Sequence, residues 1–250
     1  MSRTYRIGQI VPSSNTTMET EIPAMLNARA SVTGEKFSFH SARMRMKHVN
    51  KDELRKMDGD SDRCALELSD ARVDVLGYAC LVAIMSMGNG YHRISQERLH
   101  GATVANGAAA PVVTSAGALV DGLTALGAKK IAIVAPYMKP LTRMVIDYIE
   151  NEGVRVIDYR ALEVADNLAV GRLDPTNLPG IVADMDYADA DAIVLSACVQ
   201  MPSLAAVPEV ERLTGKPVLT AAIATTFAML KSLGLPAEAP GAGTLLNGQY

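Results

Sequence analysis

Short continuous apolar runs recur along the chain: "YRIGQIV" at 5–11, "VDVLGYA" at 73–79, "KKIAIVA" at 129–135 and "DAIVLSA" at 191–197. Each is four to seven residues of mostly Ile, Val, Leu and Ala, bounded by charged or turn-forming residues, and reads as a strand buried on both faces. Between them lie segments of helical periodicity: "TTMETEIPAMLNAR", "KDELRKMDGDSDRCALELSDA" and "PLTRMVIDYIENEG". Buried strands alternating with amphipathic helices predict an α/β fold with mainly parallel sheets flanked by helices.

The pattern also repeats. "RIGQIVPSSNTTMETEI" and "KIAIVAPYMKPLTRMVI" share a strand, a proline-containing turn and a helix. "VDVLGYACLVA" and "ADAIVLSACVQ" share a strand ending in Ala-Cys, and "PVVTSAGALVDGLTALG" and "PVLTAAIATTFAMLKSLG" share a Pro-Val-x-Thr start followed by a helix. Three elements in the same order, about half a chain apart, predict two similar lobes with the last pair of helices connecting or capping them. We expect residues 1–115 plus 217–250 in the first lobe and 116–216 in the second, with the site in the cleft between them, where open parallel sheets bind ligands.

Composition narrows the setting. The chain has 250 residues, net charge −3, no Trp and three Phe, so nucleic acid is a poor partner. Apolar runs long enough to span a bilayer are absent from the sequence, and the first residues lack the pattern of a signal peptide. Three cysteines, 64, 80 and 198, do not make a disulfide framework, and a reducing cytoplasm is expected. Metal is disfavoured, because no short-spaced Cys or His pair exists and the four His (40, 48, 92, 100) lie outside the strand ends.

The repeat puts Cys80 and Cys198 at matching carboxyl ends of strands. A buried cysteine is ordinarily a small core residue, yet packing does not require both lobes to choose it. Turn N–H groups beside each thiol are expected to lower its pKa and favour thiolate. Cys64, mid-helix and without a counterpart, reads as packing. After the first strand, "VPSSNTTMETE" offers Ser13, Ser14, Asn15 and Thr16 at a helix start, which suits a carboxylate or phosphate; Thr16 and Glu19 also fit a capping box. Its counterpart "APYMKP" offers Tyr137. The basic segment 40–50, with Arg43, Arg45 and Lys47, reads as a solvated edge strand or loop, with a cationic lid as the functional alternative. "VADNLAVGRLDP" reads as a loop presenting Asn167.

With "VPSSNTTMETE", "GYACLVA", "APYMKP", "VADNLAVG" and "LSACVQMPS" together, the chain resembles the maleate isomerases of the aspartate/glutamate racemase superfamily over essentially its whole length. The resemblance implies a homo-oligomer, a dimer, that needs no cofactor and acts on a small dicarboxylate. It implies Cys80 as nucleophile and Cys198 as proton donor and acceptor. Ser14, Asn15, Tyr137 and Asn167, with backbone N–H groups at Leu81, Val82, Val199 and Gln200, would hold the substrate. Two rivals stay open at this point. A two-thiol amino-acid or hydantoin racemase uses the same cysteine pair, and a non-catalytic carboxylate binder uses neither thiol. The arylmalonate decarboxylase pattern fits less well, since it keeps one of the two cysteines.

Overall fold

The computed structural model describes residues 3–47, 49 and 51–250. Two four-stranded, all-parallel sheets organise it. The first contains β1 (Thr4–Pro12), β2 (Lys36–Met44), β3 (Val75–Tyr78) and β4 (Val112–Thr114), in the order β2-β1-β3-β4. The second contains β5 (Lys130–Ala135), β6 (Arg155–Ala161), β7 (Ala192–Ser196) and β8 (Val218–Thr220), in the order β6-β5-β7-β8. The orders match strand for strand, so the sequence repeat is a repeat of topology. The central strands β3 and β7 are buried at every residue, as their unbroken apolar runs require.

Helices α1 (Met18–Thr33), α2 (Lys51–Asp70), α3 (Leu81–Ser86) and α4 (Tyr91–Ala105) accompany the first sheet. Helices α6 (Lys139–Asn151), α7 (Asn167–Val170), α8 (Leu178–Ala183) and α9 (Val207–Thr214) accompany the second. The segment expected as an Asn167 loop thus contains one helical turn, because the Asp166 side chain accepts from the N–H groups of Leu168 and Ala169 and starts it. The basic segment divides as well: β2 runs as an edge strand to Met44, while His48 and Asn50 lie outside the described residues.

The repeated Pro-Val-x-Thr sequences open α5 (Ser115–Ala125) and α10 (Ala221–Ser232). In both, the threonine is the N-cap: Thr114 Oγ1 accepts from Gly117 N at 3.1 Å and Thr220 Oγ1 from Ile223 N at 3.1 Å. The two helices pack on each other, and α10 crosses to touch α1, β3 and β4 of the first sheet. Within the 217–250 segment expected in the first lobe, Val218 pairs with Ile193, so β8 completes the second sheet, while α10 and the residues after it reach the first lobe. Among the described residues no helix is long and apolar enough to cross a membrane.

Candidate active site

Each thiol sits where a buried strand gives way to a turn. β3 ends at Tyr78, and Cys80 is the residue before α3, with φ 128° and ψ 77°. A side chain at that φ crowds its own backbone, a conformation held only when the surroundings enforce it. Its carbonyl accepts from Ala83 N at 3.1 Å and Ile84 N at 3.3 Å. Leu81 and Val82, both buried, supply the first two N–H groups of α3, which have no partner within the helix. Behind the cysteine, the buried Tyr78 phenol donates to Asp58 Oδ1 at 3.2 Å, and Tyr91 donates to Asp58 Oδ2 at 2.6 Å.

Cys198 follows β7 in the equivalent position. Its carbonyl accepts from Ser196 Oγ at 2.8 Å and Met201 N at 3.3 Å. Gln200 N–H points at its Sγ at 3.4 Å. Tyr137, in the turn after β5, donates its phenol to Ala197 O at 3.1 Å, which places it beside Cys198. The two thiols lie close enough that ionisation of one opposes ionisation of the other. Each cysteine is 7% exposed.

The electrostatics correct one expectation. Burial pushes the Cys80 thiol up to about 12; the Ala83 N–H only partly offsets this, and Cys198 and Asp58 add to it. Burial also raises Cys198, against the pull of Tyr137 and the Gln200 and Met201 N–H groups. Desolvation of an anion outweighs a few N–H dipoles here, so both groups rest as thiols. Cys64 is buried in α2, away from these strand ends.

A polar seam joins the lobes beside the thiols. Asn167 Nδ2 donates to Ser14 Oγ at 2.8 Å. The Gln200 side chain accepts from Thr16 N at 2.8 Å and donates to Ser14 O at 3.1 Å and Asn167 O at 2.9 Å. Asn15 is 1% exposed, and its Oδ1 accepts from Thr17 N and Met18 N, each at 3.0 Å. It therefore caps α1 in place of the expected Thr16–Glu19 box, and its NH2 is the group with which it can address a ligand. Thr16 N–H is taken by Gln200, and Glu19 pairs with Arg43. Arg43 also donates to Ser13 O at 3.2 Å and Asn15 O at 3.1 Å, bracing the Asn15 turn. A cavity of about 60 Å³ lies against Tyr137 and Asn167, walled by Val49, Leu141, Val164 and Val170.

Cys80, Cys198 and Tyr137 thus lie near one another, and Ser14, Asn167 and Gln200 meet across the lobes beside Cys198, with Asn15 in the same turn as Ser14 and Leu81 and Val82 directly after Cys80. Val199 is buried next to Cys198. Sequence reasoning missed Glu21, whose carboxylate reaches the turn after Cys198, and Asp58, behind Cys80. Both act through folding contacts that no spacing announces.

Two matched α/β lobes with a cysteine at each equivalent strand end define a class. The arylmalonate decarboxylase family model matches residues 7–246. Maleate isomerase of Pseudomonas putida is 69% identical over 250 residues, all of both chains. The structure of a cysteine-to-alanine variant of a Pseudomonas putida maleate isomerase with maleate superposes with TM-score 0.98, at 68% identity over 99% of each chain. A cysteine-to-serine variant of the Nocardia farcinica maleate cis–trans isomerase, with a covalently bound succinylcysteine intermediate, superposes with TM-score 0.95, at 46% identity over 99% of this chain and all of that one. The chain belongs to the arylmalonate decarboxylase family and, within it, to the maleate isomerases.

Proposed function

We propose that this protein converts maleate to fumarate with Cys80 as nucleophile and Cys198 as proton donor and acceptor. The carrying observation is the pair of thiols at equivalent strand ends, close enough to influence each other's ionisation, with the Tyr137 phenol held on Ala197 O beside Cys198. Maleate's C=C bond cannot rotate, so the reaction must pass through a species in which that bond is single.

Ionised Cys80, its proton lost to solvent, adds to one alkene carbon, and the electron pair moves to the other. The Cys198 S–H protonates that carbon, leaving a succinyl thioether. Rotation about the new single bond brings the carboxylates trans. The Cys198 thiolate then takes a proton from the same carbon, the double bond reforms and the C–S bond breaks. Fumarate leaves, Cys80 is again a thiolate and Cys198 again a thiol. No electron is gained or lost overall.

Neutral donors suit a dianion in this cleft. Asn15 NH2, the Ser14–Asn167 pair, Tyr137 and the N–H groups of Leu81 and Val82, which have no partner within α3, can hold two carboxylates without a buried cation that would compete for the thiolate. The Gln200 N–H is directed at the Cys198 thiol; in this reading it and the Val199 N–H steady that turn as well as the substrate. We also read the protein as a cytoplasmic homodimer, a setting that keeps the thiols reduced.

The test is ultraviolet monitoring of maleate with purified protein and no added cofactor. Conversion to fumarate that disappears in Cys80→Ala supports the assignment, and full activity in that variant overturns it.

A further inference from the structure

Glu21 lies in the first turn of α1 and is 8% exposed. Its Oε1 reaches across to the second lobe and accepts from Ser203 N at 2.6 Å and Leu204 N at 2.7 Å. Its Oε2 is enclosed without a hydrogen-bond partner among the described residues. A carboxylate withdrawn from water is costly unless its bonds offset the loss, and here the compensation is two short, charge-assisted N–H bonds from one turn. That turn begins at Cys198.

We propose that Glu21 is a positioning residue for the isomerisation, clamping the Cys198–Leu204 turn onto the first lobe and so fixing the direction from which the Cys198 thiol meets the substrate. The inference rests on reading Cys198 as the proton donor. Two anchors then hold the turn to the lobe that carries Cys80. Gln200 bonds Thr16 and Ser14 next to the thiol, and Ser203 and Leu204 bond Glu21 at the far end. Without the second anchor the turn is fixed at one point and can pivot. The groups near the Cys198 thiol are Cys80 from the turn between β3 and α3, Tyr137 from the turn after β5 and Glu21 from α1. Burial is what mainly raises the Cys198 thiol, with Glu21 adding to it, and burial raises the Glu21 carboxyl in turn against its two N–H bonds.

The test compares Glu21→Ala with Glu21→Gln. Misplacing a reacting group by about 1 Å costs on the order of 100-fold, so Glu21→Ala should lose roughly 10- to 100-fold in kcat with KM changed less than about threefold. The carboxamide oxygen introduced by Glu21→Gln accepts the same two N–H bonds, so that variant should keep kcat within about threefold. In a Cys198→Ala background, Glu21→Gln and Glu21→Ala should leave the rate of maleate addition to Cys80 unchanged.

Equal kcat for wild type and Glu21→Ala overturns the proposal. So does an equal loss in both variants, or a loss that persists in the addition rate of the Cys198→Ala background. If Glu21→Ala does not fold, Glu21→Met takes its place, and kcat equal to wild type in that variant overturns the proposal. Failure of the Cys198 reading is a different result: full turnover by Cys198→Ala.

Discussion

Ionising Cys80 is the uphill part of the reaction, and the structure gives its size. With its thiol pushed to about 12 by burial, the adjacent Cys198 and Asp58, Cys80 carries about one thiolate in ten thousand molecules at about pH 8. An exposed cysteine, with pKa about 8.5, is roughly one quarter ionised there. Four pH units at about 1.36 kcal/mol each make the thiolate roughly 5 kcal/mol uphill. The assay is iodoacetamide alkylation of the wild-type protein, with the Cys80 peptide followed by mass from about pH 6 to about pH 10. The rate should rise close to tenfold per pH unit across that range without a plateau, and at about pH 8 should fall on the order of a thousandfold below an exposed thiol. Steric shielding alone slows the reaction without moving its plateau, so the slope separates the two causes. The sign follows from the direction of the shift: a raised thiol pKa makes thiolate scarcer at a given pH, so kcat/KM for maleate should also climb with pH through neutrality. A plateau beginning below about pH 8 would refute the reasoning and mean that the N–H groups of the turn outweigh burial.

Arg29, 1% exposed, binds Glu35 through Nε at 2.6 Å and Nη2 at 2.8 Å, and donates to Pro236 O at 2.7 Å and Glu238 O at 3.1 Å. Arg29→Ala should cost about 3 kcal/mol, lowering Tm by roughly 6–12 °C for a chain of this size. Because Arg29 holds the Glu35 carboxyl below its usual range, the stabilisation is present above the unfolded carboxyl pKa and lost as pH falls through the folded one; the Tm gap measured by calorimetry should therefore narrow below about pH 4. At Gly171 an added Cβ would sit 2.5 Å from Gln200 Nε2 and 2.7 Å from Thr16 Oγ1, so Gly171→Ala should disturb the seam and lower kcat/KM roughly 10- to 100-fold. A Gly171→Ala enzyme with wild-type kinetics would show that the seam does not set the site's geometry.

The core of the fold was legible because its strands are buried on both faces and so carry continuous apolar runs. β1, β3, β5 and β7 stand out in that way, and the repeat they belong to gave the two lobes. The edge strand β6 is half-buried along most of its length, and without a uniform apolar run it carried no signal. The cysteine pair was legible through the repeat alone, since each thiol by itself looks like a small core residue. The contacts that pass between lobes were not legible. Asn15 as the helix cap, the Gln200 side chain on Thr16, and Glu21 on Ser203 escaped the reading; the last two join residues about 180 positions apart, and no local pattern encodes such a pairing. The thiol pKa direction also escaped the sequence, since local N–H donors can be guessed from a turn but the depth of burial cannot.

The central claim is that Cys80 bonds covalently to the substrate while Cys198 moves the proton. Its most direct test is intact-mass and peptide analysis of the Cys198→Ala variant after exposure to maleate. The account predicts a mass gain of one maleic acid, mapped to the peptide containing Cys80 and absent when Cys80 is also replaced. A gain on Cys64, or continued fumarate formation by the Cys80→Ala variant with no adduct anywhere, would contradict it.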